Sequence, residues 1–415
     1  MTNAAHSLFE IPSNWVIKRF TPGIYLPTLM VLFGLVSTMQ GVVVNKQGLY
    51  AVRFFLGAVE AGVLPGLVIW LLNFYRRKEF MLRQAIYFAG ASFAGAFSGL
   101  LAAAITHLNG RAGRAGWAWI FIIEGVFTIG IALIIFLIMP STPDQLWFMT
   151  SDEKHAIRAR IAADRDASRT DEPFRLKTVL PCFYDLRCVS MFIAGFAGAC
   201  PIYGLAVFGP TIVKANFGTS VSATQAQLLS CPPYAVAFVF SLFLAFSSDK
   251  LQWRWLSSAT SIIIAIIGFA LMFALPLSQP SARYGALFIA TAGTYTLPPS
   301  FLAWMPTFFY NYHRRTTSVG IVLFGVATGA TAGTFFFPAS QAASGFKYGL
   351  ELNLAMCCTA FAAICICEGA IFHDRRNKQQ GKNDYLVKEL QQQGLGDDEI
   401  RARLEEKHPD FRAAL

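Results

Sequence analysis

Residues 117–139 read WAWIFIIEGVFTIGIALIIFLIM, a run in which Glu124 is the one ionisable side chain. A helix rises about 1.5 Å per residue, so about 20 such residues cross the roughly 30 Å of hydrocarbon in a bilayer. Alternation of apolar and polar residues over about ten positions, the mark of a barrel strand, is missing from this run. In hydrocarbon every backbone N–H and C=O must be satisfied within the segment, which leaves a helix. Comparable blocks occur on either side at Ile24–Val44, Leu49–Phe74, Gln84–His107, Val189–Val213, Leu228–Phe246, Leu256–Leu277, Tyr284–Tyr310, Val319–Pro338 and Tyr348–Phe372, ten with the first. The expected fold class is therefore an all-α membrane protein, with the lipid bilayer as its first partner.

The whole chain supports that reading. Of 415 residues 55% are hydrophobic and only 14% charged, too little charge to keep a soluble surface wet. The formal net charge of +10 sits between the apolar blocks and in the tail, which reads as membrane topology and not as a nucleic-acid footprint. Six of the eight cysteines (Cys200, Cys231, Cys357, Cys358, Cys365, Cys367) lie inside apolar blocks without metal-ligand spacing and read as small hydrophobes. The histidines fall at span ends or in hydrophilic segments. Neither a phosphate-binding glycine loop nor a nucleophile elbow is present. No cofactor, no metal and no enzymatic activity are expected.

A hydrophilic stretch, Pro140–Arg187, divides the spans into four and six. Thr150-Ser151-Asp152-Glu153 has the form of a capping box opening a polar surface helix. The expected organisation is an N-terminal helical half over 1–139, a cytoplasmic linker over 140–187, a C-terminal six-helix half over 188–373 and a cytoplasmic tail over 374–415. Basic residues alternate between the short connectors. Lys18/Arg19, Arg76/Arg77/Lys78/Arg83, Lys250/Arg254, Arg314/Arg315 and Arg375/Arg376/Lys378 fall on the side of the linker, while Lys46, Arg111/Arg114, Lys214, Arg283 and Lys347 fall opposite. The positive-inside rule places the first set in the cytoplasm. Met1–Phe20, with Glu10, Pro12 and Asn14, is too short and polar for a comfortable span. With related halves in mind, the expectation is that one helix and part of another lie upstream of Met1.

Ionisable groups at membrane depth are costly and mark function by default. Arg53 and Glu60 are seven apart on one span, so both project from about the same face. A cation and an acid stacked in this way suit an anion site beside a proton carrier; the alternative is an ion pair that keeps the bundle neutral. Glu124 is expected near Arg53 in depth, where structural pairing is the favoured reading. Pro201/Tyr203, Cys231/Pro232/Pro233/Tyr234 and Tyr295/Pro298/Pro299/Trp304 place helix-breaking residues beside polar aromatics. Broken helices lining a cavity and kinked helices with tyrosines anchored at the interface fit that pattern equally. Rows of glycine spaced by four (Gly62/Gly66, Gly95/Gly99, Gly325/Gly329/Gly333) predict close helix approach.

These residues resemble the major facilitator superfamily, and more narrowly the fungal anion:cation symporters of the allantoate/nicotinate permease type. Phe9-Glu10-Ile11-Pro12-Ser13-Asn14 is similar to the end of that family's second helix, and Leu49–Gly57 to its fourth-helix motif, in which Arg53 takes the position of an arginine associated with proton coupling. Glu60-Ala61-Gly62 with Pro65-Gly66, then Tyr75, Glu79 and Arg83, and the run Gly116–Gly125 resemble the subfamily. Asp249-Lys250…Arg254 looks like a worn gating loop, and Asp410-Phe411-Arg412 like the family's ending. The resemblance implies a major facilitator fold of two six-helix halves, here lacking the first helix and part of the second. It implies a secondary transporter of the plasma membrane that takes up small organic anions, vitamin- or ureide-like carboxylates, by symport with protons. Candidates for substrate or proton coupling are Arg53, Glu60, Glu124, Tyr203, Tyr234 and Tyr295. The family's acidic and Asn residues of the first helix have no counterpart in the sequence. A non-transporting nutrient sensor or degenerate paralogue is the alternative, and a membrane enzyme the third reading.

Overall fold

The computed structural model describes residues 2–16, 20–75, 108–164 and 176–393 apart from 252, 310 and 383, with isolated positions within 76–107 and 394–409. Most of the Gln84–His107 span, Lys18/Arg19, the loop basic residues 76–78, Asp410-Phe411-Arg412 and the side chain of Glu10 lie outside the described residues. The described helices are α1 (Thr2–Val16), α2 (Pro22–Gln40), α3 (Lys46–Glu60), α4 (Val63–Leu72), α5 (Gly116–Ile138), α6 (Ser151–Asp164), α7 (Leu186–Phe217), α8 (Ala223–Leu251), α9 (Arg254–Ala274), α10 (Pro280–Trp304), α11 (Tyr312–Gly333), α12 (Lys347–Gln379) and α13 (Asp384–Gln392). Among the described residues all regular structure is helical.

Among the described residues eight helical segments are long and apolar enough to cross a membrane, with α3 and the start of α4 counted together as Lys46–Val68. The 25-residue α10 is not among them, because it carries a polar seam. Thr291, Thr294, Thr296 and Ser300 are fully or almost fully buried there. Each satisfies itself on its own helix: their hydroxyls donate to the carbonyls of Leu287 (2.7 Å), Ala290 (2.9 Å), Ala292 (2.6 Å) and Thr296 (3.1 Å). This back-bonding lets a polar helix sit inside an apolar bundle.

Two expected elements differ in detail. Leu49–Phe74 is not one helix but two, because the chain turns at Ala61 and Gly62 between α3 and α4. The Tyr284–Tyr310 block stops being α-helical at Trp304 and continues as a 3-10 turn over Met305–Thr307. The densest core draws on residues 182–371 and includes Phe269, Trp304, Phe308, Phe309, Phe337 and Phe346. Glycine governs the closest helix contacts. A methyl group on Gly325 would come 2.7 Å from the Phe192 carbonyl oxygen, and on Gly329 and Gly333 it would strike the carbonyls of Phe196 and Cys200, so α11 lies directly on the backbone of α7. Gly34 of α2 and Gly125 of α5 oppose each other in the same way, each blocked at 2.7 Å by the other's carbonyl.

Prolines inside the helices do not break them. α7, α8 and α10 run through Pro201/Pro210, Pro232/Pro233 and Pro298/Pro299, which corrects the broken-helix expectation. At α8 the reason is a contact from another helix. Pro233 has no N–H for the Leu229 carbonyl, and the Tyr284 hydroxyl of α10 donates to that oxygen at 2.7 Å instead.

Candidate functional site

Glu60 is the last residue of α3, and the chain turns immediately after it. Crowding admits only glycine after Ala61. A side chain at Gly62 would collide with Ser13 Oγ of α1 and approach the Tyr25 hydroxyl of α2 to 2.6 Å, and those two groups are themselves hydrogen-bonded at 2.5 Å. α4 then begins with Pro65 in its first turn, where an N–H has no helical acceptor and its loss is free. Ala61 and Gly62 are buried, while Glu60 stays accessible although protein surrounds it. An accessible acid with protein on several sides lines a cavity.

What the acid faces is aromatic and hydroxylic. Its charge bears on the phenols of Tyr87 and Tyr203. Tyr203, on α7, is 42% exposed. It lies within electrostatic reach of Tyr295 on α10. Tyr295 packs on Tyr234 of α8, the two rings meeting edge to face at 5.2 Å and 83°. The Tyr234 hydroxyl donates to the Leu205 carbonyl of α7 at 3.1 Å. A row Glu60–Tyr203–Tyr295–Tyr234 thus joins the end of α3 to α7, α10 and α8, and its far end is anchored on backbone. Anchoring fixes the ring of Tyr234, whereas the Tyr203 hydroxyl makes no hydrogen bond among the described residues and stays available as a donor and acceptor.

Four of the six expected residues are gathered in this row. The other two are not. The Arg53 guanidinium lies over the Phe121 ring of α5, 5.8 Å from its centroid, and among the described residues it forms no ion pair with Glu60 or Glu124. The expected Arg53–Glu124 pairing is therefore not formed: α5 presents an aromatic face at that level, and a cation is held over such a face without an opposite charge. Glu124 is half-buried one turn further along α5. Tyr87 was not anticipated from the sequence, since it has no proline beside it; its one signal is a hydroxyl near the start of a long apolar block.

The chain matches the family model "Major Facilitator Superfamily" over residues 2–334. This chain belongs to the Major Facilitator Superfamily. It is 31% identical over 382 residues to the MFS transporter prlL of a fungal species (strain NRRL 50135), covering 90% of this chain and 75% of that protein. It is 34% identical over 312 residues to the MFS-type transporter efuF of Hormonema carpetanum, covering 75% of this chain and 60% of that one. The major facilitator-type transporter hxnP of Emericella nidulans is 29% identical over 391 residues, at 90% and 76% coverage. The chain thus spans between 60% and 76% of the length of these relatives. Two crystal structures of a bacterial homolog of the human lysosomal transporter Spinster, both inward-facing, share the fold: the occupied form at TM-score 0.57 and 18% identity over 89% of this chain and 86% of the other, the unoccupied form at 0.60 and 17% over 89% and 87%. Major facilitator proteins are multi-pass integral membrane transporters, not enzymes, and the eight apolar helices agree with that.

Proposed function

We propose that this major facilitator protein is a secondary active transporter that takes up a small organic anion together with protons by alternating access, and that it belongs with the allantoate/nicotinate permease type. Two groups of helices, 1–139 and 188–373, rock around a site between them. The observation that carries this reading is the accessible Glu60 carboxyl beside the unbonded Tyr203 hydroxyl. Protonated, Glu60 joins Tyr203 in offering two donors to a carboxylate; ionised, it repels the same carboxylate. Anion binding thereby requires the proton, which is the logic of symport. Tyr295 and Tyr234 set the position of the far wall through their ring contact and the Tyr234 bond to the Leu205 carbonyl. Arg53 lies about two turns from Glu60 along the same helix and supplies the positive field that draws the anion inward. Glu124 offsets that charge from the neighbouring helix. By family analogy the protein sits in the plasma membrane, and its basic connectors put linker and tail in the cytoplasm.

Uptake of labelled nicotinate, pantothenate or allantoate by cells expressing the chain tests this. Glu60→Gln keeps the donor and removes the titration. It is expected to retain binding but to lose the preference for acidic medium, with net accumulation against a gradient reduced because no proton is carried with the anion. Arg53→Ala is expected to weaken uptake of the anion. Uptake by Glu60→Gln that still rises in acidic medium as in the parent would remove Glu60 from the coupling.

A further inference from the structure

Beyond the turn at Glu60, α4 runs into a small apolar cluster that crosses between the two helix groups. Val68 and Leu71 of α4 are buried there with Ala245 of α8 and Ala303 of α10, and Trp70 packs on them. The cluster lies toward the end of the bundle where Lys250 and the basic residues 76–78 follow in sequence. Trp70 stands ten residues beyond Glu60, about 15 Å along a helix. The α10 side is firmly held, because the Ala303 carbonyl accepts from the Arg254 guanidinium of α9 at 2.5 Å.

Trp70 also reaches into its own helix group. Its ring meets Phe74 at 5.1 Å, and its indole N–H donates to the Pro140 carbonyl at 2.7 Å, just past the end of α5 where the linker begins. That stretch of linker is gripped from α2 as well. Ser141 Oγ accepts the Gly23 N–H at 3.1 Å, and a side chain at Gly23 would come 2.5 Å from Ser141 Oγ and 2.8 Å from the Met139 carbonyl oxygen. Asp144, in the 3-10 turn that follows, pairs with Arg158 of α6.

We infer that Trp70 is the catch of an apolar gate between the groups 1–139 and 188–373, held in position by the first residues of the linker. Its indole N–H is satisfied within its own group, so the ring leaves α8 and α10 without stranding a buried donor. Val68 and Leu71 meet Ala245 and Ala303 through apolar side chains, which exclude water while together and separate without breaking an ion pair. With the gate shut, the accessible Glu60 is reached from the opposite end of the bundle; with it open, from the basic end. This gate rests on the alternating access proposed above and places one barrier of that motion on α4, α8 and α10.

A cysteine at Ala303, a position 1% exposed, tests the catch in the purified full chain without any substrate. Reaction with a water-soluble maleimide is followed at residue 303 by mass spectrometry, while native Cys357, fully buried in the core, reports on the fold. With Ala303→Cys alone, position 303 is expected to react slowly. Adding Trp70→Ala is expected to speed that reaction at least about tenfold and to leave Cys357 unreacted, because truncating a large aromatic costs more than that factor corresponds to. Trp70→Phe keeps a ring but loses the bond to Pro140, and is expected to fall between. Fast reaction at 303 before Trp70 is changed, or an unchanged rate in Trp70→Ala, overturns the proposal. If Trp70→Ala exposes Cys357 too, Trp70→Phe decides, and the parent rate there overturns it. Uptake is a separate readout: a chain that labels as expected but takes up none of the anions keeps the gate and loses the symport reading.

Discussion

Arg283 shows how much one side chain does in this bundle. It is 4% exposed, and its three guanidinium nitrogens reach three separate segments: Asn216 Oδ1 at the end of α7 (2.9 Å), the Leu275 carbonyl after α9 (2.9 Å) and the Gly345 carbonyl before α12 (3.2 Å). Gly345 and Phe346 are both left-handed, with φ of 66° and 58°; a phenylalanine adopts that conformation only when its surroundings impose it. Phe346 is buried against Phe337, ring to ring at 5.8 Å. Arg283→Ala leaves three acceptors unpaired, at about 1–3 kcal/mol for each buried one. The expected loss is about 3 kcal/mol or more, seen as a lower denaturation temperature in detergent, with Arg283→Lys intermediate because an ammonium presents its donors from one point. Glu153 is a case with a pH sign. It accepts from the backbone N–H and the hydroxyl of Thr150 at 2.9 and 3.0 Å, as the Thr150–Glu153 spacing predicts. The backbone and side-chain hydrogen bonds from Thr150 hold its carboxyl below the ordinary value of 4.5. A depressed folded value means that the stabilisation of α6 is complete above 4.5 and is lost as pH falls through the lower value. Helical content in α6 is expected to drop there in the parent and to be pH-independent in Glu153→Gln, which circular dichroism or amide exchange will report.

At the scale of elements, the contacts that decide packing are backbone to backbone. Gly329→Ala is expected to push α11 off the Phe196 carbonyl of α7 and to cost about 1–3 kcal/mol, as overpacking does, whereas Gly369→Ala on α12 has nothing within 4 Å and is expected to be neutral or slightly stabilising. Thermal stability of the two variants side by side checks this. The Gly325/Gly329/Gly333 row was legible because spacing by four needs no knowledge of the partner. Spans were legible for a similar reason: a block of about 20 apolar residues announces itself in one dimension. What escaped depends on groups distant in the chain. The need for glycine at position 62 comes from Ser13 and Tyr25 pressed on it, and the continuity of α8 through Pro233 draws on the Tyr284 hydroxyl from α10. The candidate site divides likewise. Glu60 stands out as an acid in an apolar block and Tyr203, Tyr234 and Tyr295 as phenols beside prolines, but that Phe121 and not Glu124 lies under Arg53 follows from the rotation of α5, which its sequence, apolar on every face, leaves open.

For the molecule as a whole, orientation ties the residues to a direction of transport. If the connectors obey the positive-inside rule, the rim that carries Arg187 and Arg314 faces the cytoplasm, together with α6 and the tail. Arg283 and its three acceptors then brace the opposite end of the same helices, so α7 is fixed at both ends: by the Arg283 contact to Asn216 near its last turn and by the Arg187–Phe309–Arg314 stack at its first. Tyr203 lies between these two anchors and shares its charge environment with Glu60 of another helix group. The orientation is open to direct measurement. Single cysteines placed in a cysteine-free chain at Lys154 and Lys382, both in basic segments, are expected to resist a membrane-impermeant maleimide on intact cells and to react after permeabilisation. Cysteines at Arg111 and Lys347 are expected to react on intact cells. Labelling in the reverse pattern would turn the molecule over in the membrane and, with it, the side to which the Arg187–Phe309–Arg314 stack faces.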